Sequence, residues 1–158
     1  MIIGVVSDSH GNTRALEEAV NFLKDCDALI HAGDFYKDGL YLAQRCQLPC
    51  YAVGGNCDIG PKGPRELTVE IEGKRFFITH GHMHLVKRTL DDLIKVATDR
   101  DVDCVVFGHT HVPYAAWLGP RLFFNPGSVS IGRSSSGNTL GYIEVSKGEL
   151  QPQIIRLT

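Results

Sequence analysis

Apolar residues in this chain fall into two kinds of stretch that alternate. Ile2–Val6 is a short unbroken run, the pattern of a strand buried on both faces. Asn12 then offers an N-cap to a helix reaching about Asp25, with Leu16, Ala19, Val20 and Leu23 at three- and four-residue spacing. Ala28–Ala32 reads as a second buried strand, Asp38 as the cap of a short helix through Cys46, and Cys50–Val53 as a third strand. This βαβαβ order predicts parallel neighbours joined by right-handed crossovers.

The pattern then changes. Leu67, Val69 and Ile71 alternate with Thr68, Glu70 and Glu72, and Gly73-Lys74 turns the chain into Arg75–Thr79, which predicts an antiparallel hairpin. A helix comes next, from about Val86 to Thr98, with Val86, Leu90, Leu93, Ile94 and Ala97 on one face and an Asp91–Lys95 pair outside. Further strands are expected at Cys104–Phe107, Tyr114–Leu118, Leu122–Phe124, Leu140–Val145 and Leu150–Leu157. Parallel units succeeded by hairpins predict an α/β (α+β) protein: a two-sheet β-sandwich flanked by helices rather than one open sheet.

Length and charge narrow the class. At 158 residues the expectation is one domain, residues 1–158, large enough to fold around its own core. A formal net charge of −2 provides no global basic field, so a stable nucleic-acid partner is not expected. The five cysteines, at positions 26, 46, 50, 57 and 104, are an odd number without a Cys-x-x-Cys pair, the usage of reduced thiols. The opening apolar run is too short for a signal peptide, and nothing approaches the ~20 apolar residues of a membrane span. The expected location is cytoplasmic, with no membrane partner.

The residues suited to chemistry lie just beyond the end of each buried strand. Ile2–Val6 leads into Ser7-Asp8-Ser9-His10, Ala28–Ala32 into Gly33-Asp34, and Cys50–Val53 into Gly54-Gly55-Asn56-Cys57-Asp58. Arg75–Thr79 leads into His80-Gly81-His82, and Cys104–Phe107 into Gly108-His109-Thr110-His111. Each piece alone is ordinary turn chemistry. Together they place Asp8, His10, Asp34, Asn56, His80, His109 and His111 at the carboxyl ends of strands, the usual crevice for ligands in α/β proteins. His31, inside a strand, reads as a core or edge residue, and His84 as a helix-start residue.

Carboxylate, amide and imidazole without thiolate suit manganese, nickel, magnesium, iron or zinc and argue against copper(I) or an iron–sulfur cluster. Seven such groups exceed the ~4 ligands of one zinc. They suit two divalent ions bridged by one carboxylate, the arrangement that clamps a phosphoryl centre and activates a water between the ions.

The order Asp-x-His, Gly-Asp, Gly-Asn, His-Gly-His and Gly-His-x-His resembles that of the calcineurin-like metallophosphoesterase superfamily, and in particular its small single-domain prokaryotic phosphodiesterases of the YfcE type. The resemblance runs from Asp8 to His111 and continues into Asn125-Pro126-Gly127-Ser128. It implies a four-layer αββα fold and two divalent ions, Mn2+ first among them. It also implies a phosphodiester hydrolysed by a hydroxide bridging the ions, with a small phosphate ester as substrate. Asp8, His10, Asp34 and His111 resemble the ligands of one ion. Asp34, Asn56, His80 and His109 resemble those of the other, and His82 a residue facing the substrate.

One departure stands out. Many members read Gly-Asn-His-Asp or Gly-Asn-His-Glu where this chain has Gly55-Asn56-Cys57-Asp58, and that histidine is thought to protonate the leaving group. A thiol is a weak hydrogen-bond donor, so Cys57 is a poor substitute, while Asp58 is placed either to orient a ligand or to shape the turn. Arg14, Arg121 and Arg133 are candidate cationic helpers, although a surface arginine is the ordinary status of each. The retromer subunit of this fold serves as an interaction platform, so the alternative is a non-catalytic, metal-binding scaffold. A nuclease of the same superfamily would need a more basic surface. The strands Tyr114–Leu118 and Leu140–Leu157 leave room for a homo-oligomer contact.

Overall fold

The computed structural model describes residues 1–60 and 63–157. Two five-stranded sheets pack face to face. The first runs β10-β9-β1-β2-β3 and the second β4-β5-β6-β8-β7. The first contains β1 (Ile2–Val6), β2 (Ala28–His31), β3 (Cys50–Ala52), β9 (Thr139–Ser146) and β10 (Glu149–Arg156). The second contains β4 (Glu66–Ile71), β5 (Lys74–Thr79), β6 (Cys104–Val106), β7 (Tyr114–Leu118) and β8 (Arg121–Asn125). Helices α1 (Thr13–Leu23) and α2 (Tyr36–Cys46) cover the first sheet and α3 (Asp91–Asp99) the second.

Four layers explain the unbroken apolar runs. In β1, Val5 joins the core between the sheets while Val6 packs under α1 with Leu16, Ala19 and Leu23. In β5, Phe76 faces inward and Phe77 faces α3 with Leu93 and Ala97. Strand period is two, so both faces of each central strand are buried and both must be apolar. Burial of a large apolar side chain stabilises by about 1.5–3 kcal/mol, and Phe76, Phe77, Phe123 and Phe124 are all fully buried.

The parallel pairing expected at the start is present: Val5 lies opposite Ile30 and Ile30 opposite Tyr51. The hairpin is also present, with Ile71 opposite Lys74. β5 and β6 are parallel within the second sheet, Phe77 opposite Val105. The strands leading to the candidate residues are therefore split between two sheets, β1, β2 and β3 in one and β5 and β6 in the other.

Four local expectations differ. Asn12 does cap α1, its side chain accepting from Ala15 N at 3.1 Å, but the helix ends at Leu23. Asp38 is not the cap of α2. The helix begins two residues earlier, Phe35 occupies the cap in the left-handed region, and the Asp38 carboxylate accepts from Gly11 N at 2.8 Å. The third helix begins at Asp91, not Val86, because the chain passes through a 3-10 turn at His82–His84 and a left-handed Leu85 (φ 54). Val86 is buried without being helical, so its apolar character reflects burial rather than periodicity. The pair on α3 is Lys95 with Asp99 at 2.7 Å, while Asp92 bonds His84.

Candidate metal centre

Loops from both sheets meet at one end of the sandwich. The β1 loop delivers Asp8 and His10, the β2 loop Asp34, the β5 end His80 and the β6 loop His109 and His111. Five of these sit in the left-handed backbone region: Asp8 (φ 54), His10 (φ 51), Asp34 (φ 55), His109 (φ 69) and His111 (φ 59). Each such residue costs on the order of 1 kcal/mol and persists only where its surroundings dictate it, a concentration typical of functional loops.

Those surroundings are specific. Asp8 Oδ2 accepts from Ser7 Oγ at 2.7 Å and from His109 N at 3.0 Å, tying the first loop to the last. Ser128 Oγ and Ser130 Oγ both donate to Asp8 O, at 2.8 and 3.1 Å. Buried Asn125 donates through Nδ2 to Gly108 O at 3.0 Å and Thr110 Oγ1 at 3.1 Å, and its Oδ1 accepts from Gly127 N. The Asn125–Ser128 turn thus clamps the loops of β1 and β6 together. A glycine at 55 is a packing requirement, because a Cβ there would lie 2.1 Å from Asp34 Oδ1.

The ligand-type atoms converge. Asp8, His10, Asp34 and His111 each offer an atom within 4.8 Å of the others. Asp8 Oδ1 lies 3.1 Å from His111 Nε2 and 3.8 Å from His80 Nε2. Asp34 Oδ2 lies 3.6 Å from His10 Nε2 and 3.3 Å from His80 Nε2. Its other oxygen, Oδ1, accepts from Cys57 N at 3.0 Å, which leaves Oδ2 facing both sides of the cluster. His80 Nδ1 donates to Ala32 O at 2.8 Å and His111 Nδ1 to Ile131 O at 3.0 Å, so both rings turn an Nε2 lone pair into the centre.

Asp8 Oδ1 and His80 Nε2 are buried without a hydrogen-bond partner. An unsatisfied buried polar atom costs about 1–3 kcal/mol, more if charged. Among the described residues, no Lys or Arg pairs with Asp8 or Asp34. Two buried carboxylates without a Lys or Arg partner, beside inward-facing imidazole nitrogens, fit a divalent cation. The electrostatics agree. Burial alone would raise the Asp34 carboxyl, but His80 and the Cys57 N–H hold it well below the usual carboxylate range. Burial opposes a charged His80, yet Asp34 and Asp8 outweigh it and raise its proton affinity. A cation bound there would take the place of that proton. His109, by contrast, is pushed down to about 4 by burial and by His80.

The second candidate set is gathered less tightly. His109 stacks edge-on to His80 with ring centroids 5.0 Å apart. Asn56 is exposed, its amide nitrogen 3.6 Å from Cys57 Sγ. His82 lies 5.5 Å from His80 and 6.1 Å from His109, centroid to centroid. The Cys57 thiol is raised by partial burial and by Asp34, which keeps it protonated at neutral pH. Asp58 accepts from Gly55 N (2.7 Å), Phe35 N (3.2 Å) and Tyr36 N (2.8 Å), so it fixes the 54–58 loop against the start of α2.

The remaining sequence candidates lie elsewhere. His31 is fully buried, accepts from Gly33 N through Nδ1 and lies 3.1 Å from Ser9 Oγ through Nε2. His84 sits between Glu66 and Asp92. Arg121 pairs with Asp101 at 3.3 Å, at the opposite end of the strands. Sequence reading quoted Ser7 and Ser128 within its motifs but gave them no role, and it missed Ser130, whose single hydroxyl carries no spacing signal, and Arg65, which stands outside every motif.

A family model described as the calcineurin-like phosphoesterase superfamily domain matches residues 1–148. The chain is 32% identical over 134 residues to the probable metallophosphoesterase YsnB of Bacillus subtilis (strain 168), covering 84% of this chain and 78% of that protein. It is 29% identical over 162 residues to the phosphodiesterase YfcE of Escherichia coli (strain K12), covering 87% and 84%. Among solved structures, a predicted phosphoesterase from Streptococcus pneumoniae TIGR4 superposes with a TM-score of 0.84 at 28% identity, covering 98% of this chain and 88% of that one. A single mutant of Vps29 from Entamoeba histolytica superposes at 0.79 over all of both chains with 18% identity, a likeness of fold.

Proposed function

The chain belongs to the calcineurin-like phosphoesterase superfamily, and from that premise we propose that it is a phosphodiesterase working with two divalent metal ions. The observation that carries this reading is the convergence of Asp8, His10, Asp34 and His111 ligand atoms within 4.8 Å, beside an orphaned His80 Nε2. In this reading Asp8, His10, Asp34 and His111 hold one ion, and Asp34, Asn56, His80 and His109 the other. The bridging role falls to Asp34 because its Oδ2 lies between His10 and His80. When bound, such ions supply Lewis acidity to phosphoryl oxygens and lower the pKa of a water held between them.

The protein's own groups do the rest. Ser7 and the His109 N–H orient Asp8, Cys57 N–H orients Asp34, and Ala32 and Ile131 carbonyls set the His80 and His111 tautomers. Asn56 and His82 flank the place where a phosphoryl group would sit, and Asp58 acts through the loop that carries Asn56. A protonated Cys57 is a weak donor, so little proton transfer to a leaving group is available, and loss of general acid help is worth roughly 10²–10⁴-fold. The reading favours diesters, as the relative named a phosphodiesterase supports, and among them those whose leaving groups depart unaided.

We assign Mn2+ as the working ion, which the mixed oxygen and imidazole set admits and the family resemblance puts first, and a small phosphate ester as substrate. Residues 1–158 are read as one domain, acting in the cytoplasm without a nucleic-acid partner. No helix among the described residues is long and apolar enough to cross a membrane. The scaffold alternative rests on the fold shared with Vps29, and retention of all seven candidate ligands favours the enzyme.

Mn2+-loaded protein should cleave bis(p-nitrophenyl) phosphate. Asp34→Asn and His109→Ala should lose that activity while keeping the far-UV spectrum of the parent. Unchanged turnover in either variant would reject the site.

A further inference from the structure

A cavity of about 360 Å³ opens beside the Asn56 and His82 flank of the centre, with Gly54, Asp58 and Arg65 also in its wall. We infer that this cavity recognises a second anionic group on the substrate, with Arg65 as its charge partner; the inference rests on the phosphodiesterase reading above.

The lining supports an anion rather than an apolar group. Asp58 is the wall's acidic member, and its carboxylate is already engaged by the N–H groups of Gly55, Phe35 and Tyr36. Arg65 makes no ion pair among the described residues, and its guanidinium donates from Nη1 to Met83 Sδ at 3.8 Å. A thioether is a weak acceptor, so among the described residues nearly all of the guanidinium's donor capacity is uncommitted. His82 lines the same wall and adds a second polar side chain to it.

Arg65 is also braced. It directly precedes β4, its neighbour Pro64 accepts from Gly54 N at 2.9 Å, and Met83 belongs to the 3-10 turn that carries His82. The loop bearing Asn56, the turn bearing His82 and the arginine therefore meet at one wall. A phosphodiester has one negative charge at phosphorus, which falls to the metal centre. A cation held some way to the side is suited to a different charge on the same molecule. The planar fork of arginine matches a carboxylate or a phosphate in two-point contact. The substrate class is thus a phosphodiester whose ester substituent bears a further phosphate or carboxylate.

The test compares two symmetric diesters, so that either substituent can enter the cavity: bis(p-nitrophenyl) phosphate and bis(4-carboxyphenyl) phosphate. The readout is the ratio of kcat/KM, carboxylated over nitro, for the Mn2+-loaded full chain. Arg65→Ala should lower that ratio by about fivefold or more through KM, since ~1 kcal/mol corresponds to about that factor. Arg65→Glu should lower it further, and Arg65→Lys should restore part of it. An identical ratio in parent, Ala and Glu proteins would overturn the anion subsite while leaving the phosphodiesterase reading intact. Failure of the parent to cleave either diester would overturn that reading and the subsite with it.

Discussion

His10 Nε2 and His111 Nε2 face each other across 3.3 Å. His111 spends its Nδ1 proton on Ile131 O, so its Nε2 presents a lone pair toward His10, with Asp8 Oδ1 only 3.1 Å away. His10 Nε2 can either donate a proton across this gap or, deprotonated, join the His111 lone pair and Asp8 Oδ1 around a cation. The second arrangement fits the family to which the chain belongs, which normally binds divalent metals.

His111→Ala should therefore cost more ion affinity than the roughly 10–100-fold typical of losing a residue that merely supports a ligand. Elemental analysis after dialysis against Mn2+ reads this directly. The thermal midpoint gives a second reading, because a ligand at 100 times its Kd stabilises a protein by about 2.7 kcal/mol. That increment should be large in the parent and nearly absent in the variant.

Asn125→Ala should both destabilise the metal-free protein and weaken its hold on Mn2+. The substitution leaves Gly127 N without its acceptor and removes one of the two donors to Gly108 O, the other being Thr110 N, inside a site where Asn125 is fully buried. The expected loss is about 1–3 kcal/mol in denaturant unfolding. Asn125→Asp, which keeps the acceptor but not the amide donors, should retain the Gly127 contact and still lose affinity for Mn2+.

The metal-free protein should lose stability as pH falls from about 6.5 to about 4. Burial depresses His31 to about 4, so in that window the unfolded chain takes up a proton that the folded chain refuses, and stability rises with pH. His109, also at about 4, and His82, lowered by burial, act in the same direction. His80 is raised and acts with the opposite sign at higher pH, above the ordinary histidine value. Urea titrations at several pH values should give a shallower slope for His31→Gln, with a difference on the order of 3 kcal/mol across the window.

Turnover should fall steeply as the leaving alcohol becomes more basic, because Cys57 is a poor proton donor. A series of aryl phosphodiesters of graded leaving-group pKa measures this. Cys57→His should flatten the dependence, with the largest gain on the most basic leaving groups.

Much of the fold was legible because its signals are local. An apolar run such as Ile2–Val6 can only be a strand with both faces covered, and β1 does carry Val5 into one core and Val6 into another. The candidate ligands were legible because each comes directly after such a run, at its carboxyl end. The Val86–Leu90 stretch misled because a loop buried against the second sheet and α3 can imitate helical spacing, and Asp38 misled because an acidic residue near a helix start need not be its cap.

The order of strands and helices, the burial of both strand faces and the residue types available for chemistry were determined along the chain itself, since hydrophobic period and turn residues act over a few positions. Only the tertiary structure decided that two sheets converge to set Asp34 Oδ2 between His10 and His80, or that Arg65 and His82 share a wall. Asp34 and His80 are separated by dozens of residues, and their approach depends on how the two sheets pack and on loops clamped by Asn125 and Ser128. Distances of that kind come from the balance of many contacts across the core, and no short stretch of sequence carries them.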